Sequence, residues 1–122
     1  MSRNPGLRAG FTLIELLVVI AIIGVLAAIA IPAFTTRQGK AYDARVIQDA
    51  RNAATAEEAY IADNFVYYSG DCTLLPGVNL SPGVECEATG SGANRFEIRT
   101  THPRSSKTCV WASDSSPNLS CP

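Results

Sequence analysis

Apolar positions follow three regimes along this chain. From Phe11 to Phe34 they are almost continuous, and Glu15 is the one charge among them. From residue 41 to 63 they thin to a helical repeat, with Val46, Ile47, Ala50, Ala53, Ala54, Tyr60 and Ile61 on one side. Asp43, Arg45, Asp49, Arg51, Glu57 and Glu58 are expected to fill the other side. No Pro or Gly falls between Ala41 and Asn64, so one helix is expected from Phe11 to about Asp63, roughly 80 Å long at about 1.5 Å per residue. Beyond Asn64 the pattern shortens to alternating runs at residues 84–88, 95–101 and 107–112. These predict three antiparallel strands, with turns at residues 89–94 and 102–105. The fold class is α+β: a long N-terminal helix, hydrophobic in its first half and amphipathic in its second, packed on a small antiparallel sheet.

Two residues mark the apolar stretch as fragile. Pro32 has no N–H to offer the carbonyl of Ala28, and Gly24 lowers helicity by about 1 kcal/mol relative to Ala. Residues 24–32 are therefore the weakest part of the helix, and on the residues alone they read as a static kink.

Glu15 is the most expensive residue of the stretch. A carboxylate near hydrocarbon costs a few kcal/mol, so it persists where it meets a cation or serves a purpose. Cleavage after Gly10 would create that cation. The new α-amine of Phe11 would lie one helical turn from Glu15, and the amine of a neighbouring copy could reach it equally well.

Gly10-Phe11-Thr-Leu-Ile-Glu15 followed by a long apolar run resembles the class III signal of type IV prepilins and of type II secretion pseudopilins. The resemblance is dense from about Gly10 to Tyr42. It implies a pilin-like fold, cleavage by a prepilin peptidase between Gly10 and Phe11, N-methylation of Phe11, and assembly into a helical homopolymer in which Glu15 pairs with the Phe11 amine of another subunit. It also implies assembly machinery of the inner membrane as a partner, residence in that membrane as a precursor, and later an extracellular pilus. In assembled type IV pili the stretch matching residues 24–32 is often unwound, which makes Gly24 and Pro32 flexible positions. Adhesion, twitching motility, DNA uptake and electron transfer are uses known in the family, and the sequence does not choose among them.

Composition narrows the rest. The chain has 122 residues, enough for one small head once the apolar segment is set aside. The expected division is a leader at 1–10, a membrane or filament-core helix at 11–36, and a globular head at 37–122. Residues 16–36 form 21 positions without charge, sufficient at about 1.5 Å each to cross a bilayer core of roughly 30 Å. Arg3 and Arg8 precede them, favouring a cytoplasmic N-terminus, although Arg37 and Lys40 weaken the asymmetry. Without the leader, 8 Lys and Arg oppose 11 Asp and Glu, a formal net charge of −3. That balance predicts no nucleic-acid contact.

Cys72, Cys86, Cys109 and Cys121 all fall in the expected head. An even count in a small exported domain reads as two disulfides, and their spacing supports no metal site. Three pairings exist. Pairing 72 with 86 and 109 with 121 closes the shorter loops, each contributing about 3 kcal/mol in the chain-entropy picture.

Other candidates are weaker. Tyr60, Phe65, Tyr67 and Tyr68 predict an aromatic cluster at the helix end, read as packing in preference to a conduction path. His102 is the single histidine and stands before a proline, without partners for catalysis. Asn118-Leu-Ser120 fits a glycosylation pattern. No enzyme is predicted and no cofactor is implied.

Three alternatives compete with the pilin reading. A pseudopilin would serve protein secretion, but the family's acidic calcium loop has no match between Cys109 and Cys121, where Asp114 is the one acid. A secreted domain cut after Ala28-Ile-Ala30 leaves Glu15 unexplained. A membrane-tethered binding module with an uncleaved anchor has loops that name no ligand.

Overall fold

The computed structural model describes residue 6 and residues 9–122. Arg3, Arg8 and most of the expected leader lie outside the described residues. The chain divides into two compact units between Thr36 and Arg37. One helix, α1 (Leu13–Asn64), contributes to both, and its assignment runs through Gly24 and Pro32. Both boundaries fall within two residues of the expected ones.

The second unit adds five short strands, β1 (Gly70–Asp71), β2 (Glu85–Ser91), β3 (Arg95–Thr101), β4 (Cys109–Ala112) and β5 (Leu119–Ser120). A single 3₁₀ turn at Cys72–Leu74 follows β1. The strands form one antiparallel meander in sequence order. β2 and β3 pair over seven positions, from Glu85 opposite Thr101 to Ser91 opposite Arg95.

Alternation along β2 and β3 decides which face meets the helix. Cys86 and Ala88 point inward with Phe96, Ile98 and Thr100, while Glu85, Glu87, Arg95 and Arg99 point out. Against this face α1 presents Val46, Ala50, Ala53 and Ala54. Small helix side chains let the backbone approach the sheet, and Phe96 and Ile98 supply the bulk. Thr100 reaches across the buried layer, its hydroxyl donating to the Val46 carbonyl at 2.8 Å.

Several expectations need correction. Two edge strands, β1 and β5, join the three predicted, and each is too short to carry an alternation signal. β2 continues through Thr89, Gly90 and Ser91, confining its turn to residues 92–94. β4 begins at Cys109 because Ser106 and Lys107 are held in the preceding turn. Asp49 and Glu57, assigned to the solvent side, are 2% and 0% exposed. Their spacing from Val46, Ala50 and Ala53 places them on the buried stripe, and each meets a backbone N–H there.

Candidate functional site

The N-terminal end of α1 is built around Thr12 and Glu15. The Glu15 carboxylate accepts from the Thr12 backbone N–H at 2.7 Å and from its hydroxyl at 3.0 Å. The Glu15 N–H donates back to the Thr12 hydroxyl at 3.3 Å. This reciprocal pattern is a capping box, which satisfies orphan donors of the first turn. Thr12 is the partner of Glu15 that reasoning from the acid alone misses. Its signal, a Thr three positions ahead of an acid at the head of an apolar run, was present in the sequence. The box orients the Glu15 carboxylate at the helix start, where the macrodipole also favours an acid.

Past Glu15 the helix is apolar around its circumference. Leu, Ile and Val from Leu16 to Ile31 stay exposed, and α1 contains a window long and apolar enough to cross a membrane. Gly24 has open space around it, so no close contact among the described residues requires a glycine there. At Pro32, the hydroxyls of Thr35 and Thr36 both donate to the proline carbonyl at 3.0 Å. Such back-bonding competes with the helix ladder and bends helices.

In the head, three helix carboxylates fasten three loops. Asp43 accepts from the Ser105 hydroxyl at 2.6 Å and from the Ser106 N–H at 2.9 Å. Asp49 accepts from the Ser81 N–H at 2.8 Å. Glu57 accepts from the Tyr68 N–H at 2.9 Å through Oε2, while its buried Oε1 meets no hydrogen-bond partner among the described residues. The Ser105 hydroxyl, with the Ser106 groups beside it, holds the Asp43 carboxyl below the usual carboxylate range. Burial pushes Glu57 up, and neighbouring Glu58 adds to that rise. All three acids look like solvent-facing charge in the sequence, because their partners are backbone groups 11 to 63 positions away.

Two disulfides complete the clamp, Cys72 to Cys86 and Cys109 to Cys121. The first ties the segment after β1 to β2, and the second ties β4 to the residue beyond β5. Asp114, the one acid between Cys109 and Cys121, pairs with Arg95 at 3.2 Å.

The expected aromatic cluster is smaller than its sequence suggested. Tyr60 meets Tyr68 edge to face at 5.7 Å, and Tyr67 packs on Phe96 at 4.7 Å. Phe65 does not join them and is 78% exposed. It ends the helix at φ 61°, a left-handed conformation in which a bulky residue is an outlier. Gly90 serves the same junction, since a Cβ there would meet the Tyr67 carbonyl oxygen at 2.7 Å. His102 stacks on Tyr42 at 4.4 Å, and its Nδ1 accepts from the Arg104 N–H at 3.0 Å. Asn118 Nδ2 donates to the Ala112 carbonyl at 3.0 Å, so a glycan on that nitrogen would cost a contact that shapes the β4 to β5 hairpin.

Comparison with known proteins adds sequence relatives to this geometry. Residues 7–31 match the family model described as a prokaryotic N-terminal methylation motif. The chain is 38% identical over 99 residues to the type IV major fimbrial protein FimA of Dichelobacter nodosus, covering 76% of this chain and 62% of that protein. It is 37% identical over 104 residues to fimbrial protein EcpB of Eikenella corrodens, covering 74% and 65%. It is 38% identical over 95 residues to the type IV wide pilus major component PilA4 of Thermus thermophilus, covering 76% and 72%. The chain thus spans just under two thirds of the first two relatives. An alignment covering 76% of the chain cannot be contained in the leader and α1, so the likeness continues into the head.

Proposed function

The chain belongs to the type IV pilin family, and from that premise we propose that it is a structural subunit of a type IV pilus, cut after Gly10, N-methylated at Phe11 and polymerised through the first half of α1. The apolar surface from Leu16 to Ile31 carries the reading. Among the described residues nothing covers this surface, and it suits both a lipid environment and the centre of a helical bundle. Ala21, Gly24, Ala27, Ala28 and Ala30 permit close helix contact. Burial of such surface contributes roughly 25 cal/mol per Å².

Glu15 sets register in this account. In the free chain Thr12 satisfies its carboxylate, and in the polymer the Phe11 amine of a neighbouring subunit joins or replaces Thr12 as partner. Attraction between unit charges in a low-dielectric bundle is strong enough to select one stagger, whatever desolvation subtracts from its net stability. Gly24 and Pro32 give the helix a place to unwind within the filament. The precursor resides in the inner membrane, with prepilin peptidase and the pilus assembly machinery as partners, and the mature subunit stands outside the cell. Asp114, already paired with Arg95, gives the pseudopilin alternative no support.

Glu15→Ala tests the account. The variant should enter the membrane fraction normally, yet yield few or no filaments by electron microscopy. Mass spectrometry of wild-type filaments should find methylated Phe11 as the first residue. Normal piliation in the variant removes the salt bridge, and an intact ten-residue leader in the polymer removes the processing step.

A further inference from the structure

The joint between helix and sheet closes over a buried carboxyl. Residues 65–69 link the end of α1 to β1, a strand of two residues at the edge of the sheet. β2 and the turn after it hold one side of this segment. The Tyr67 N–H donates to the Gly92 carbonyl at 2.8 Å, and the Ser69 hydroxyl accepts from the Gly90 N–H at 2.7 Å. On the other side, among the described residues, one side-chain hydrogen bond from α1 reaches the segment, the one that Glu57 accepts from the Tyr68 N–H. Glu57 is fully buried, and its second oxygen is unmatched. The titratable groups that act on it or feel its charge are Glu58, beside it on α1, and Tyr67 on the segment. The facing strands present Cys86, Ala88, Phe96, Ile98 and Thr100, and residues 72–84 contain no charge. None of the ion pairs among the described residues involves Glu57 or Glu58.

We propose that Glu57 is a proton-controlled latch on this joint: protonated, it keeps residues 65–69 closed on α1, and ionised, it lets them lift while the head around them stays folded. A buried carboxylate with one hydrogen bond, an unmatched oxygen and a like charge alongside is costly, whereas the protonated acid has no charge to desolvate. Ionisation therefore favours any rearrangement that brings water to the carboxyl. The segment over it can supply one. Its ends are fixed, at Asn64 by the helix and at Cys72 by the disulfide to Cys86, so it can move without carrying the sheet with it. It also begins at Phe65, whose left-handed backbone is strained in the closed form. Burial and Glu58 both raise the Glu57 carboxyl above its ordinary range. The latch is thus fully closed below that ordinary range and weakens as pH rises through the raised value.

Native-state hydrogen exchange of the full chain in detergent tests this, with each amide's rate corrected for the intrinsic effect of pH. The Tyr68 amide should lose protection between about pH 4 and about pH 8, by up to about tenfold per pH unit while Glu57 titrates. At every pH it should exchange faster than the Ile98 amide in the central strand β3, as a local opening does. Glu57→Gln keeps an acceptor for the Tyr68 N–H and cannot ionise, so Tyr68 protection should become independent of pH. Glu58→Gln removes the like charge and should make the loss smaller and complete at lower pH. Tyr68 protection that does not vary with pH, or varies as much in Glu57→Gln as in the wild type, overturns the proposal. Equal protection at Tyr68 and Ile98 overturns it too, because the joint would then open only when the head unfolds. Should Glu57→Gln fail to fold, Glu58→Gln decides alone, and a loss it leaves unchanged overturns the latch.

Discussion

The two halves of α1 share one backbone conformation and differ in where their side chains find contact. Before Thr36 the helix carries Leu, Ile and Val on all sides, and they stay exposed. After Arg37 its inward stripe is Val46, Ala50, Ala53 and Ala54, closed over by Phe96 and Ile98. The first half is bulky where, among the described residues, it stays exposed. The second is small where it meets a sheet. An exposed bulky surface gains only from another molecule, whereas an alanine stripe gains from a partner already in the chain, brought within van der Waals reach. Assembly chemistry and folding chemistry thus occupy different segments of one helix.

Substitutions can break this division. Phe96→Ala should destabilise the head by about 3–5 kcal/mol, while Leu17→Ala should leave its unfolding midpoint unchanged; thermal unfolding of the full chain in detergent checks both. A head midpoint that falls equally for Leu17→Ala would erase the distinction. Asp49→Ala should cost about 1–3 kcal/mol by orphaning the Ser81 N–H, with faster hydrogen exchange around Ser81 as the local readout. Phe65→Asn should act in the opposite direction, stabilising by about 1 kcal/mol, because Asn tolerates the left-handed conformation that strains Phe.

The smallest effect is a slope with pH. Glu57 is raised in the folded head, so the unfolded chain gives up its proton first. Its stabilising effect is complete below the ordinary glutamate value of about 4.5 and is lost as pH rises from there through the raised folded value. Asp43, held low, acts the other way and loses its contribution as pH falls below its ordinary range. Between mild acid and neutrality the Glu57 trend should dominate, and Glu57→Gln should flatten it while keeping an acceptor for the Tyr68 N–H. A wild-type midpoint that does not fall over that window would contradict the burial of this carboxyl as the cause.

Long, strongly patterned segments were legible without coordinates. Periodicity placed α1 within two residues at each end, and alternation found β2, β3 and β4. The Gly10 to Glu15 motif carried the family likeness, which the relatives extend into the head. Errors arose where chemistry suggested a different side from geometry. Asp49 and Glu57 occupy apolar spacing but are charged, and only a loop N–H arriving from elsewhere explains why they can be buried. Phe65 reads in the sequence as part of an aromatic packing cluster, yet it is exposed where the helix terminates and joins none of the tyrosines. β1 and β5 exist through pairing with neighbours, and two residues hold no signal of their own.

By itself, then, the sequence determined the helix, its apolar surface, the acid at its start and the number of cysteines, since each rests on local composition and on spacing along one element. Tertiary structure decided which carboxylates hold loops, which rings stack, and how Arg45 and Arg104, from two distant segments, meet at Tyr42. Those outcomes depend on contacts between residues far apart in the chain, and no local pattern encodes the partner that makes a buried charge tolerable.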